Sequence, residues 1–425
     1  MKLLITNKKQ SIYNYKTVLW SERSLDDEIL SIIDYIEEHS FEIKKNFCEL
    51  IDNFNVFKIN KKKVIDHLNI DESYSAFWCS DFYEKSFYKN PEIKNQIKLI
   101  ALKKLIIDSK IDEVLLDINS SIDSKSIKIL CNSLKVKLIN NNKLFYLDFN
   151  FKYLILPFIT SIKFIKFIYF RLSFKKIDWK KVKNIINKKI FFSYSIYSDN
   201  KLLKKGIQNS LYWDPLIKQK LLSNTLWVNI YFHTKKSSLR KELKYYNEVN
   251  KIKNQHTIFL DELLDFKIFF KTFYYYFKLL INVYFLQSSI KKYIQFKKSC
   301  FLKYYYINYF NFSFLDISSL VSIYYYLILV KLKKNINNID QIFYLFENQG
   351  WEKSLNFVFS SEFKVIAVNH ACIRNWDTRF VNDKNIKTEC TPYYYATNGH
   401  DSYKKLIENK FKKKKNYNIR SFEIL

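Results

Sequence analysis

The sequence predicts an α/β fold, a Rossmann-like parallel sheet carrying long aromatic helical insertions. Three observations lead there. Short apolar runs alternate with helix-patterned stretches over residues 1–145, the rhythm of βαβ units. Of the 425 residues, 48% are hydrophobic and 18% aromatic, which excludes a disordered basic tail and supplies a large core. Only 3 glycines and 4 prolines occur, so collagen-like, glycine-loop-rich and proline-linker architectures are excluded. Composition divides the chain into an N-terminal α/β segment (1–145), an aromatic-rich helical insertion (146–335) and a C-terminal βαβ segment (336–425) that is expected to complete the sheet.

In chain order, residues 16–20 (KTVLW) read as a buried strand, and Ser24 with Asp27 caps a helix running to about Glu38. A second helix follows near 41–53 and a third at 94–108. Residues 114–118 (VLLDI) form a short apolar strand. Ser120 or Ser121 caps a helix to about Leu134, and 136–139 returns as a strand. The insertion carries strand candidates at 190–197 and 226–232. The last ninety residues are the most informative. Residues 341–346 (QIFYLF), 363–369 (FKVIAVN) and 393–397 (YYYAT) read as strands. A helix at 351–360 makes the right-handed crossover between the first two, and another runs from Asn398-Gly399 to about Lys410. The carboxyl ends of these strands carry Glu347 and Asn348, His370, and Asn398 with Gly399, the row where open α/β sheets bind ligands.

The charge is +30, from 71 Lys and Arg against 41 Asp and Glu. Only six of the basic residues are Arg. Lys, Asn, Ile, Phe and Tyr, all with AT-rich codons, are abundant while Gly, Ala, Pro and Arg are scarce, so nucleotide composition explains much of the excess. Nucleic-acid readers depend on Arg forks, so nucleic acid is disfavoured as a partner. A lysine excess fits anionic lipid or phosphorylated substrates better. Six scattered cysteines without a C-x-x-C pair indicate a reducing compartment. The N-terminus lacks the apolar stretch of a signal peptide, and the protein is expected in the cytoplasm. Residues 152–174 are interrupted by Lys163 and Lys166. Lys267, Lys271 and Lys278 fall within about 40° of one another on a helix, beside Phe269, Phe270, Phe273 and Tyr276. Residues 317–330 are too short to span. These stretches read as core helices or, in second place, as helices lying on an anionic membrane surface.

Residues 347–352 (ENQGWE) place two carboxylates and two amides around a strand-to-helix turn. Glu347 is a candidate base or sugar-hydroxyl ligand; a polar turn with Glu352 in the first helical turn is the plainer alternative. Residues 370–379 (HACIRNWDTR) combine a titratable His370 with Arg374, Asp377 and Arg379. The arginines suit a phosphate or carboxylate, and His370 can take a proton from an acceptor hydroxyl. A surface loop with an Arg–Asp pair is the alternative. A zinc site from His370, Cys372, Cys390 and His400 matches no common spacing. Dinucleotide, Walker and nucleophile-elbow motifs are absent, and three glycines could not build them.

Several phrases resemble a family of bacterial surface-carbohydrate biosynthesis proteins, GT-B-like glycosyltransferases of O-antigen, lipopolysaccharide or capsule loci. They are 18–22 (VLWSE), 76–80 (AFWCS), 83–91 (YEKSFYKNP), Ser193-Tyr194, 212–216 (YWDPL), Leu260-Asp261, 345–352 (LFENQGWE), 370–380 (HACIRNWDTRF) and Asn398-Gly399. The resemblance covers nearly the whole chain in order. It departs at Pro392, where Tyr393 stands in place of the family's Asp, and at Leu425, where the family continues into a second α/β domain that carries most donor contacts. The resemblance implies transfer of a sugar from a nucleotide-sugar donor, a substrate and not a cofactor, to a glycan or lipid-linked glycan precursor. A metal-free inverting transfer needs a base, His370 or Glu347, and anion contacts from Arg374, Arg379 and Lys85. Further substrate contacts are expected at Trp20, Ser21, Ser80, Glu84, Asn348, Trp351, Asp377 and Asn398. With the donor half expected to be missing or carried on a separate chain, the alternative is a non-catalytic or truncated subunit that binds glycan or lipid precursor on the inner face of the cell membrane.

Overall fold

The computed structural model describes residues 1–9, 12–26, 28–71, 73–140, 152–174, 177, 179, 182, 188–195, 212–213, 225–232, 239–251, 255–336 and 339–411. Contacts divide the chain into two compact units, and each contains its own parallel sheet. The architecture is α/β and Rossmann-like, with long aromatic helices.

The first unit comprises Met1–Leu68, Asp81–Pro157 and Leu279–Asp316. Its strands are β1 (Lys2–Thr6), β2 (Lys16–Leu19), β3 (Leu30–Ser31), β4 (Lys58–Ile59), β5 (Lys62–Lys63), β6 (Glu113–Asp117) and β7 (Lys137–Asn140). The main sheet runs β3-β2-β1-β6-β7, all parallel, while β4 and β5 form an antiparallel hairpin. Asn60 and Lys61 turn that hairpin with φ of 48° and 67°, the paired positive φ that a two-residue turn needs. The central strand β1 is absent from the sequence reading. Its run KLLIT is short, yet Leu3, Leu4 and Ile5 are wholly buried, as strands covered on both faces are. The helix expected from Ser24 begins only at Ile32. Ser31 caps it, accepting from the Ile33 and Asp34 N–H at 3.1 and 3.4 Å, because β3 occupies the preceding residues. Helices Glu92–Asp108 and Ser121–Leu134 stand where the periodicity puts them, the latter capped by Ser120 Oγ. The aromatic residues of 279–316 fill this unit's core. Tyr293, Tyr306 and Phe310 surround Phe54, and the Tyr293 hydroxyl donates to the Leu50 carbonyl at 2.6 Å, which keeps the buried O–H satisfied.

The second unit comprises Asn69–Ser80, Phe158–Lys278 and Ile317–Leu425. Its strands are β8 (Lys188–Tyr194), β9 (Thr225–Ile230), β10 (Gln255–Phe259), β11 (Ile339–Leu345), β12 (Lys364–Val368) and β13 (Tyr394–Ala396). They form one parallel sheet in the order β10-β9-β8-β11-β12-β13. The chain winds outward from β8 to β10, returns to the other side of β8 with β11, and winds outward again to β13. This is the doubly wound Rossmann order, and its switch point lies between β8 and β11. β11–β13 therefore extend β8–β10, whereas the sequence reading had them complete the N-terminal sheet. The reason is backbone pairing: Ile190, Phe191 and Phe192 of β8 are almost fully covered, so its N–H and C=O groups cannot turn to water and take β9 on one side and β11 on the other. No local pattern reveals a partner about 150 residues away. The expected boundaries at 145 and 335 also differ from the two units, because each unit takes segments from three parts of the chain.

Helix Gly350–Phe359 is the expected crossover from β11 to β12. Of the longer helices, Lys152–Arg171 is the only one among the described residues that by itself is long and apolar enough to cross a membrane. Lys163 and Lys166, which interrupt it, are exposed. Lys267, Lys271 and Lys278 are exposed on helix Phe266–Phe296. Tyr276, read beside them, instead packs inward with no exposed surface.

Candidate active site

Register places the carboxyl ends of three neighbouring strands in line: Leu345 pairs with Val368, and Val368 with Ala396. Two residues beyond these ends stand Glu347, His370 and Asn398. They therefore share one edge of one parallel sheet, beside the switch point.

The turn after β11 is held from within. Asn348 adopts a left-handed conformation with φ of 56°, which Asn tolerates better than most residues. The wholly buried Glu352 carboxylate accepts the Glu347 N–H at 3.1 Å and the Asn348 N–H at 2.9 Å. Burial pushes the Glu352 carboxyl up to about 8, and the Glu347 charge adds to the rise. The Asn348 side-chain amide donates to the Arg379 carbonyl, tying the turn to the 370–380 loop. Trp351 is buried, and its indole N–H donates to the Tyr194 hydroxyl at 2.8 Å and to Gln349 Oε1 at 3.2 Å. The Tyr194 hydroxyl in turn donates to Gln349 Oε1 at 3.2 Å, and the Gln349 amide donates to Glu347. Tyr194 ends β8, so this network bridges the switch point.

Gly350 explains why a glycine-poor chain places one here. A Cβ at this position would lie 2.4 Å from the Cys79 carbonyl oxygen and 2.8 Å from its carbon. Residues 76–80 thus pack directly on the turn, with the Ser80 hydroxyl donating to the Phe77 carbonyl at 2.7 Å and the Tyr74 hydroxyl 3.0 Å from Ser354 Oγ. Glycine-to-alanine changes at compatible sites stabilise by roughly 0.4–1 kcal/mol. Gly350→Ala is expected to do the reverse, costing about 1–3 kcal/mol because two backbones must part. The urea midpoint decides the sign.

His370 Nε2 lies 3.7 Å from Glu347 Oε1, and its Nδ1 has no hydrogen-bond partner among the described residues. The Tyr212 ring packs edge-on against the imidazole, with centroids 4.3 Å apart. Burial lowers the His370 pKa below its ordinary 6.5; Glu347 opposes that shift and Arg379 adds to it. The imidazole is therefore neutral at pH 7. Nδ1 is enclosed by the protein, so the nitrogen open to a substrate is Nε2, beside the carboxylate, and Glu347 stabilises the cation once a proton arrives.

Arg379 is already engaged. It grips Asp377 with two hydrogen bonds of 2.8 and 2.7 Å, and its Nη1 is 3.8 Å from Glu347 Oε2. A phosphate placed here would meet two carboxylates as well as the guanidinium. Arg374 is exposed on the same loop. The Asn398 side-chain oxygen accepts from the Ser402 hydroxyl at 2.7 Å, at the start of helix His400–Glu408, whose cap Gly399 has φ of 140°.

The remaining sequence candidates belong to the first unit, where most have structural partners. Lys85 is buried against Asp52 at 2.7 Å, and Glu84 is buried with Lys89 at 2.7 Å. The Trp20 indole donates to Asp123 at 3.2 Å, and Ser21 is exposed. Among the described residues no group of His, Cys, Asp or Glu is arranged to hold a metal ion. Sequence reasoning gave Tyr194, Tyr212 and Gln349 no role of their own. Tyr194 and Gln349 flank the switch point, a signal that becomes visible once β8 is known to adjoin β11. No family model, curated protein or solved structure matches the chain.

Proposed function

We propose that this protein transfers a sugar from a nucleotide-activated donor to a surface-glycan precursor, with His370 as the base. The observation that carries this reading is the neutral His370 held 3.7 Å from Glu347 at the carboxyl edge of a doubly wound parallel sheet. His370 Nε2 removes the proton of the acceptor hydroxyl. The acceptor oxygen then bonds to the anomeric carbon as the bond from that carbon to the leaving phosphate breaks. Glu347 stabilises the imidazolium as it forms. The resemblance of 345–352 and 370–380 to surface-carbohydrate enzymes supports the same reaction.

The test is release of nucleoside diphosphate from a panel of nucleotide sugars, with and without glycan and lipid-linked acceptors. Release that depends on acceptor and is lost in His370→Ala is the expected result. Saturable nucleotide-sugar binding without turnover would favour a glycan-precursor-binding subunit. Neither binding nor turnover across the panel would overturn the proposal.

A further inference from the structure

Within the second unit, two helices expose apolar stripes of the same construction. On Lys152–Arg171, Phe158, Ile162, Ile165 and Tyr169 fall within about 60° of one another at about 100° per residue, and Phe158 and Tyr169 are each 70% exposed. Lys166 and Lys163 follow along one flank. On Phe266–Phe296, Phe266, Phe270, Tyr274 and Phe277 fall within about 80°, with Phe266 81% exposed. Lys267, Lys271 and Lys278 lie along one flank of that stripe. The helices pack together through Phe164 and Phe273, whose rings are 5.6 Å apart. Exposed large apolar side chains scattered singly need no explanation, but a contiguous patch of this kind does.

A cavity of about 370 Å³ opens between the two helices, lined by Ile165, Ile168, Leu172, Phe266 and Phe269. At its polar end stand the Arg171–Asp261 ion pair and Glu262. Burial raises the Glu262 carboxyl to about 8, so it is neutral at pH 7 and the ion pair is internally compensated. Asp265, the remaining carboxylate of the lining, is paired with Lys331 at 2.6 Å, so the lining presents little net charge to an apolar occupant.

We propose that this two-helix face lies in the plane of an anionic lipid bilayer. The aromatic stripes enter the acyl boundary, the lysine flanks meet headgroup phosphates, and the cavity takes up part of one acyl chain. The inference is independent of the reaction catalysed. Charge selects this occupant: the lysines complement anionic lipid, and the chain carries +30 overall. A second copy would set lysine flank against lysine flank. The buried faces of both helices carry Phe164, Ile168, Ile268 and Tyr276 into the protein, which suits helices lying on a surface.

Co-sedimentation of the full chain with phosphatidylcholine vesicles, with and without phosphatidylglycerol, tests this. Binding is expected only with the anionic lipid, and release is expected at 1 M salt, where the screening length falls to about 3 Å. Each lysine near such a surface contributes roughly five-fold to partitioning, so Lys267→Gln/Lys271→Gln/Lys278→Gln should bind about 100-fold more weakly. Phe266→Ser/Phe270→Ser/Phe277→Ser should also lose binding. All six positions are exposed, and unchanged circular dichroism checks that both variants fold. Equal binding to neutral vesicles, an unaffected lysine variant, or retention through high salt and alkaline wash would overturn the proposal, the last by indicating a span. Loss of the face into a stable dimer, seen by light scattering, would overturn it too.

Discussion

His370→Ala is expected to lower acceptor-dependent sugar transfer about 10²–10⁴-fold, the range that a positioned general base supplies. Its melting temperature should barely change, because the imidazole makes one ring contact and an ion-pair approach beyond hydrogen-bond length. The pH profile separates a base from a merely structural histidine. Activity requires neutral His370, and burial holds its pKa below 6.5. The acid limb of kcat/KM should therefore fall at lower pH than an ordinary histidine would give. Glu347 is the group that pulls this pKa upward, so in Glu347→Gln the limb should move further to acid. The plateau rate should drop as well, because the imidazolium loses its carboxylate. Glu347 acts through His370 in this scheme and is a positioning residue. A limb that stays put in Glu347→Gln would remove His370 from the role.

The second large effect is on stability. Arg171 Nε donates to Asp261 Oδ1 at 2.9 Å, the Tyr324 hydroxyl donates to the same oxygen at 2.8 Å, and the guanidinium lies 3.4 Å from the Phe167 ring centroid. Both ionic groups are buried. Burial pushes the Asp261 carboxyl up, and Arg171 draws it back down. Removing one partner leaves a charge stranded, which costs about 3–5 kcal/mol. Against a total stability of roughly 5–15 kcal/mol, that is enough to unfold much of the population. Asp261→Ala and Arg171→Met should each shift the urea midpoint accordingly. The double variant Arg171→Met/Asp261→Leu should cost less than the sum, since no charge is then left without its partner. Single variants within about 0.5 kcal/mol of the parent, the range of ordinary surface changes, would show that water reaches the pair.

Much of this site was legible in the sequence, and the reasons are local. Glu347, His370 and Asn398 each follow a short apolar run, and strand ends are where parallel sheets expose their chemistry. The rarity of glycine made Gly350 conspicuous, and the contact with Cys79 supplies the reason. What was hidden is non-local. That β8 sits between β9 and β11 depends on pairing across about 150 residues, which is why the C-terminal strands read as completing the first sheet. The engagement of Arg379 with Asp377 is one of two readings the sequence allows, and only geometry chooses it. The resemblance made Lys85 and Glu84 candidate contacts; burial beside Asp52 and Lys89 gives them partners already. Tyr276 shares its helix with exposed lysines, yet lies about half a turn from them and points inward.

The way the two units are threaded has a consequence for biosynthesis. The first unit cannot close when residues 1–157 leave the ribosome, because the helices that fill its core lie within Leu279–Asp316. All of Phe158–Lys278, the first half of the other unit's fold, must be translated in between, on the order of ten seconds at ~5–20 residues per second. During that interval a first sheet without its 279–316 helices and a second sheet with half its strands coexist on one nascent chain. β8 waits for β11 throughout, and such unpaired edges invite pairing with the wrong strand. The protein is thus a natural client for chaperones that bind nascent chains. For the same reason no single cut through the polypeptide releases either unit whole.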